Sequence, residues 1–199
     1  MENFVYLIGD RETRECVMVD PAWDVDAVLK VAEADEMKVT AGLVTHTHYD
    51  HVNGVEDLIS RTQGKIYVHK NEAPFLKGMK SHVVGVDSGF KLKAGKIDIT
   101  FMHTPGHTPG SQCFLVNERL VSGDTLFINA CGRCDLPGGN AEEMYHSLQS
   151  LMKLGEHVIL LPGHNYAETP TSTLGDEKKF NPYYQSHSLS DFLHRRMGY

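Results

Sequence analysis

The sequence predicts an α/β (α+β) protein in which two halves of mixed strands and helices pack their sheets together beneath outer helices. Three observations carry this. The first half alternates short apolar strands with helical stretches, and from residue 83 onward short strands are broken by PGHTPG and NER turns. In both halves, clusters of His and Asp fall where a strand gives way to a loop. At 199 residues, 41% hydrophobic and 23% charged, the chain is long enough for one well-buried domain, and no linker or repeat divides it. Residues 1–199 are expected to form that domain, with 165–199 a short C-terminal extension.

In chain order, Phe4 to Ile8 and Cys16 to Val19 read as strands joined by the polar turn GDRETR. Asp24 is the N-cap of a helix running to about Glu36, with Val25, Val28, Leu29 and Ala32 on its apolar face. Val39 to Thr45 is a continuous apolar strand, as expected for one covered on both sides. A helix from about Gly54 to Thr62 and a strand at Lys65 to His69 follow. The second half reads as strands Lys96 to His103, Gln112 to Val116 and Leu120 to Ser122, a helix Ala141 to Lys153, and a strand His157 to Leu161 that ends in PGH.

Composition removes several function classes. A formal net charge of -7 leaves no broad basic face to track a phosphate backbone, so nucleic acid is not an expected partner. MENFVYLIGD lacks a basic n-region and a long apolar h-region, and no apolar run approaches the roughly 20 residues of a membrane helix. A cytoplasmic location without membrane partners is the expectation. Cys16, Cys113, Cys131 and Cys134 are too few and too scattered for a disulfide framework and are expected as reduced thiols.

The chemistry concentrates at strand ends. VTHTHYDHVNG places His46, His48, Asp50 and His51 within six residues, directly after an apolar strand. TPGHTPGS adds His107, SGDTLF adds Asp124, and LPGHNY adds His164. Imidazole nitrogen and carboxylate oxygen suit first-row transition metals, and loops at strand ends can gather ligands distant in sequence. Seven donors exceed one tetrahedral ion and match two ions sharing a carboxylate. His46 and His48, two apart, can point the same way from an extended chain, while Asp50 and His51 lie past the bend. The isolated His69, His82, His146, His157, His187 and His194 read as ordinary surface or core residues.

THTHYDH, PGHTPGS, SGDTLF and PGHNY, in this order, resemble the metallo-β-lactamase-fold superfamily over nearly the whole chain. The resemblance implies a four-layer αβ/βα sandwich, two mixed β-sheets flanked by helices, with a metal site between the sheet edges. It further implies that His46, His48 and His107 hold one metal, that Asp50, His51 and His164 hold the other, and that Asp124 bridges them. Asp50 and Asp124 are then the catalytic carboxylates. Secreted β-lactamases usually lack the bridging aspartate and carry signal peptides, which argues against antibiotic hydrolysis.

Two branches of the superfamily look similar. PTSTLGDEKKFNP, residues 170 to 182, resembles a late segment of glyoxalase II, the hydroxyacylglutathione hydrolases, which cleave S-D-lactoylglutathione. YLIGDRETRECVMVDP and CGRCD resemble the persulfide dioxygenases, in which His46, His107 and Asp124 would hold one Fe(II) that oxidises glutathione persulfide with dioxygen. The first branch implies a binuclear hydrolase using two divalent transition metals, zinc, iron or manganese, to present hydroxide to a thioester carbonyl. The expected partner is a small-molecule thioester or glutathione-derived substrate, and a homo-oligomer stays open. A metal-binding protein with little catalysis is a third reading, disfavoured because structural zinc sites are normally closed with four ligands. Arg133, Cys131 and Tyr166 are candidate substrate contacts, and Lys178, Lys179, Arg195 and Arg196 could add positive charge for glutathione. Tyr145, Tyr183 and Tyr184 are further candidates for lining the site.

Overall fold

The computed structural model describes residues 2–198. Strands β1 (Tyr6–Asp10) and β2 (Glu15–Val19) form an antiparallel hairpin, and β3 (Lys38–Leu43), β4 (Lys65–His69) and β5 (Val83–Val86) extend it in parallel, in the order β1-β2-β3-β4-β5. Helix α1 (Val25–Ala34) crosses from β2 to β3, and the Asp24 carboxylate accepts from Ala27 N at 2.9 Å, as an N-cap should. It stops short of Glu36, which turns into the left-handed region at φ 56° to let the chain re-enter the sheet. After β3 come a single turn, α2 (Tyr49–Val52), and α3 (Val55–Thr62).

The second sheet has six strands. In chain order these are β6 (Lys91–Ala94), β7 (Ile97–His103), β8 (Gln112–Val116), β9 (Arg119–Gly123), β12 (Ile159–Pro162) and β13 (Ser172–Thr173). They lie in the order β13-β12-β9-β8-β7-β6, antiparallel except for the β9/β12 pair. A two-stranded ribbon, β10 (Leu126–Phe127) with β11 (Ala130–Cys131), and helix α4 (Ala141–Leu151) lie between β9 and β12 in sequence.

Three apolar clusters define the layers. Val17, Val19, Ala41 and Leu43 of the first sheet meet Ile99, Phe101, Phe114 and Val121 of the second. The outer face of the first sheet packs against α1 and α3 through Val25, Ala32, Val55 and Leu58. The outer face of the second packs against α4 through Met144 and Leu148. This is the expected sandwich of two mixed sheets flanked by helices. Val39 and Leu43, in a strand read as covered on both sides, do divide between the outer and inner clusters.

The tail, expected as a short C-terminal extension, packs onto the domain. Helices α5 (Leu174–Phe180) and α6 (Leu189–Met197), capped by Thr173 and Ser188, insert Leu174 and Phe192 into the α4 cluster, and the turn between them adds Tyr184. With Phe192 fully buried, residues 165–198 complete the outer layer rather than trail from it. Among the described residues no helix is long and apolar enough to cross a membrane.

Candidate metal centre

β3 ends at Leu43, the chain bends at Thr45, and His48, itself extended, leads into α2. His46 and His48 bring their ring nitrogens within 3.1 Å of each other, and the turn of α2 brings Asp50 and His51 back to the same place. His107 comes from the β7/β8 loop, Asp124 follows β9, and His164 follows β12. The parallel pairing of β9 with β12 puts the last two side by side, and Gly163 N donates to Gly123 O at 2.9 Å.

All seven side chains converge. His48 Nδ1 lies 3.1 Å from His46 Nε2 and 2.9 Å from His107 Nε2. Ligands around one ion at bond lengths of about 2.0–2.1 Å stand roughly 2.9–3.4 Å apart, so this trio fits the first shell of a single metal. His51 Nε2 and His164 Nε2 are 3.2 Å apart, with Asp50 Oδ2 at 3.7 and 3.5 Å, a looser second trio. Asp124 lies between them: one oxygen is 3.4 Å from His51 Nε2, the other 3.6 Å from His107 Nε2 and 3.3 Å from His164 Nε2.

Neighbouring groups decide which nitrogen each ring presents. Asp20, buried at the end of β2, accepts from Thr45 N at 2.7 Å, from Thr45 Oγ1 at 2.7 Å and from His51 Nδ1 at 2.8 Å. A carboxylate only accepts, so the His51 proton belongs on Nδ1 and Nε2 faces the centre. Thr45 spends its hydroxyl proton on Asp20 and accepts from His46 Nδ1 at 3.1 Å, which fixes His46 in the same sense. His107 Nδ1 donates to Arg133 O at 2.7 Å. Asn3 Nδ2 donates to Asp50 Oδ2 at 2.9 Å and takes the Trp23 indole N–H on its Oδ1 at 3.0 Å. Inward-facing donor atoms held by outward-facing hydrogen bonds are the pattern of a metal site, and the buried Asp124 Oδ1 has no hydrogen-bond partner.

The protonation balance of the three-histidine half agrees. Burial, reinforced by the neighbouring rings, holds His46 well below the usual imidazole range, and burial likewise lowers His48 and His107. These rings are neutral, as ligation requires. Burial also acts to lower His51, but Asp20, Asp124 and Asp50 outweigh it and bring it up to about 9. Burial would raise Asp124, yet contacts with His164, His51 and His107 keep it low.

Among the candidate substrate contacts, Tyr166 is at the centre: exposed, it stacks on His164 with ring centroids 4.7 Å apart and borders a cleft of about 440 Å³ lined also by Ile128, Asn129 and Glu168. Cys131 is not; it is buried in the α4 cluster with its thiol pushed far up by burial, so it presents no thiolate to a substrate. Arg133 contributes its carbonyl, while its guanidinium is paired in a bidentate fashion with Asp135 at 3.0 and 2.7 Å. Three of the four basic tail residues are engaged: Arg196 donates to Gly132 O at 2.8 Å, Arg195 pairs with Asp191 at 2.8 Å, and Lys178 donates to Leu154 O at 2.8 Å, while Lys179 is exposed. Tyr145 and Tyr183 pack on Phe192, and Tyr184 is buried. Sequence reasoning missed Asp20, Asn3 and Glu72; only Asp20 left a signal, a carboxylate at a strand end before proline.

Comparison with known proteins agrees with this geometry. The chain is 34% identical to the probable polyketide biosynthesis zinc-dependent hydrolase BaeB of Bacillus velezensis, over 98% of this chain and 87% of that protein. It is 33% identical to a hydroxyacylglutathione hydrolase of Shewanella loihica, over 84% of this chain but 63% of that protein, and 32% identical to the mitochondrial persulfide dioxygenase ETHE1 of Mus musculus, over 90% and 70%. The crystal structure of ETHE1 from Myxococcus xanthus superposes with a TM-score of 0.91 at 31% identity, covering 98% of this chain and 85% of that one. The family model for the metallo-beta-lactamase superfamily matches residues 2–164, from the Asn3 clamp to His164, and the chain belongs to that superfamily.

Proposed function

We propose that the protein is a binuclear metallo-hydrolase that cleaves a thioester, with S-lactoylglutathione the first substrate to assay. The observation that carries this reading is the completeness of the donor set: two adjacent trios, His46/His48/His107 and Asp50/His51/His164, share Asp124. Two divalent ions held there would polarise a carbonyl and bring the pKa of a water toward neutrality. The remaining work falls to the chain. Asp50, kept in place by Asn3, offers a carboxylate oxygen to orient the water. Tyr166 supplies a face on which the substrate can lie beside the cleft at Ile128 and Asn129. Water adds to the acyl carbon, the carbon–sulfur bond breaks, and acid and thiol leave; a thiolate departs without a strong general acid. Because Arg195, Arg196 and Lys178 are engaged elsewhere, recognition rests on the acyl-sulfur end more than on the glutathione carboxylates.

The second reading, a mononuclear Fe(II) persulfide dioxygenase, is favoured by the similarity to ETHE1 over nearly the whole chain. Its triad would be His46, His107 and Asp124, leaving the Asp50/His51/His164 trio empty. Protein purified anaerobically separates the two. About two metals per chain, thiol release from S-lactoylglutathione and no oxygen uptake on glutathione persulfide are expected. One iron per chain with oxygen consumption would overturn the hydrolase.

A further inference from the structure

We propose that Glu72 is a positioning residue for the three-histidine half of the centre, clamping together the two loops that carry His46, His48 and His107. The proposal rests on the metal-centre reading and holds whichever reaction the centre performs. Glu72 follows β4 and is itself no ligand, yet its side chain is buried at 1% exposure beneath the site. A carboxylate withdrawn from water that far needs donors, and both oxygens have them. One oxygen accepts from Thr47 N at 3.1 Å and from the Thr47 hydroxyl; the other accepts from Gly110 N at 3.0 Å.

Those partners explain what the residue does. Thr47 stands between His46 and His48, so fastening its N–H and hydroxyl to Glu72 fixes the segment from which both imidazoles reach the centre. Gly110 lies three residues past His107 in the other loop, packed so closely that a Cβ there would come within 2.5 Å of Glu72 Cγ. The same segment grips that loop a second time, because Asn71 Nδ2 donates to Pro109 O at 3.1 Å. One buried carboxylate therefore sets the spacing between His48 Nδ1 and His107 Nε2. Asp50 and His51 are held by Asn3 and Asp20, the His164 backbone bridges to Asn3, and among the described residues none of the three hydrogen-bonds to Glu72. The clamp acts on one half of the centre.

Full-length, metal-stripped protein titrated with Co(II) tests this, using Glu72→Gln and Glu72→Ala in two backgrounds. His164→Ala leaves the three-histidine half, and His48→Ala leaves the other. In Glu72→Gln the amide puts an NH2 where an acceptor was needed, so one of the three donors loses its partner. Loss of an outer partner typically weakens metal binding about 10- to 100-fold, and that loss is expected in the His164→Ala background. In the His48→Ala background the change should stay below about threefold, a split that a general folding role would not produce. Thr47→Val, which keeps the backbone donor, should weaken the same half less, and it carries the test alongside Glu72→Gln if Glu72→Ala does not fold. Equal weakening in both backgrounds, or none in either, overturns the clamp while leaving the metal centre intact. Failure of the unmodified protein to bind Co(II) at all sinks the centre and the clamp together.

Discussion

Asp20 accepts from both His51 and Thr45, and Thr45 in turn accepts from His46, so a single carboxylate sets the ring tautomer in each half of the centre. Asp20→Asn preserves the volume but offers an N–H where His51 Nδ1 needs an acceptor. The proton then moves to Nε2, facing the metal. Metal titration should show binding weakened by about 10- to 100-fold with the fold retained; unchanged affinity would remove Asp20 from the centre. A different residue, away from the centre, also contributes to acid stability. Burial, with help from the stacked His103 ring 3.9 Å away, lowers His69 to about 4. Between the ordinary value near 6.5 and pH 4 the unfolded chain binds a proton that the folded chain refuses. Stability from this group is therefore complete above pH 6.5 and declines as the pH falls, by at most about 1 kcal/mol per pH unit. His69→Asn retains an acceptor for Asn71 N–H and should flatten the dependence of Tm on pH between 5 and 7; an identical slope would exonerate His69.

The positions of strands were more legible than their ends: β1, β3 and β12 each lie up to two residues from the bounds read in the sequence. β4 and β8 span the residues read as strands, and the start of α1 follows from the Asp24 cap. The short edges were not legible: β5 is VVGV, four residues interrupted by glycine, and β6 is KLKA, too polar to stand out from a turn. Both become strands because a neighbour's backbone is already there to pair with, β4 in one case and β7 in the other. The approach of β9 to β12 also explains Gly163, where a Cβ would sit 2.5 Å from Asp124 Oδ1 and 3.0 Å from the Gly123 carbonyl carbon. Gly163→Ala should push Asp124 out of the position shared by the two trios. Metal content is expected to fall from about two per chain toward one or none, with far-UV circular dichroism unchanged; full metal content would show that the loop can yield.

At the scale of the molecule, the tail is the test of how far the domain extends. Phe192 fills the space beside Tyr145, Tyr183 and Met144, so Phe192→Ala should leave a cavity and cost about 3–5 kcal/mol, read as a lower denaturation midpoint. A change within a few tenths of a kcal/mol would mean that α6 is an appendage after all. The sequence by itself pointed to two packed sheets and set His46, His48, Asp50, His51, His107, Asp124 and His164 at strand ends, because hydrophobic periodicity is local and clusters of His and Asp are visible as text. Only the tertiary structure decided which outlying groups serve those donors. Asp20, Glu72 and Asn3 lie 31, 25 and 47 residues from His51, Thr47 and Asp50, and their meaning depends on where a buried carboxylate or amide finds donors after folding. The tail's basic residues were decided the same way: their charge is written in the sequence, but the carbonyls and carboxylates that claim them exist as neighbours only in the folded chain.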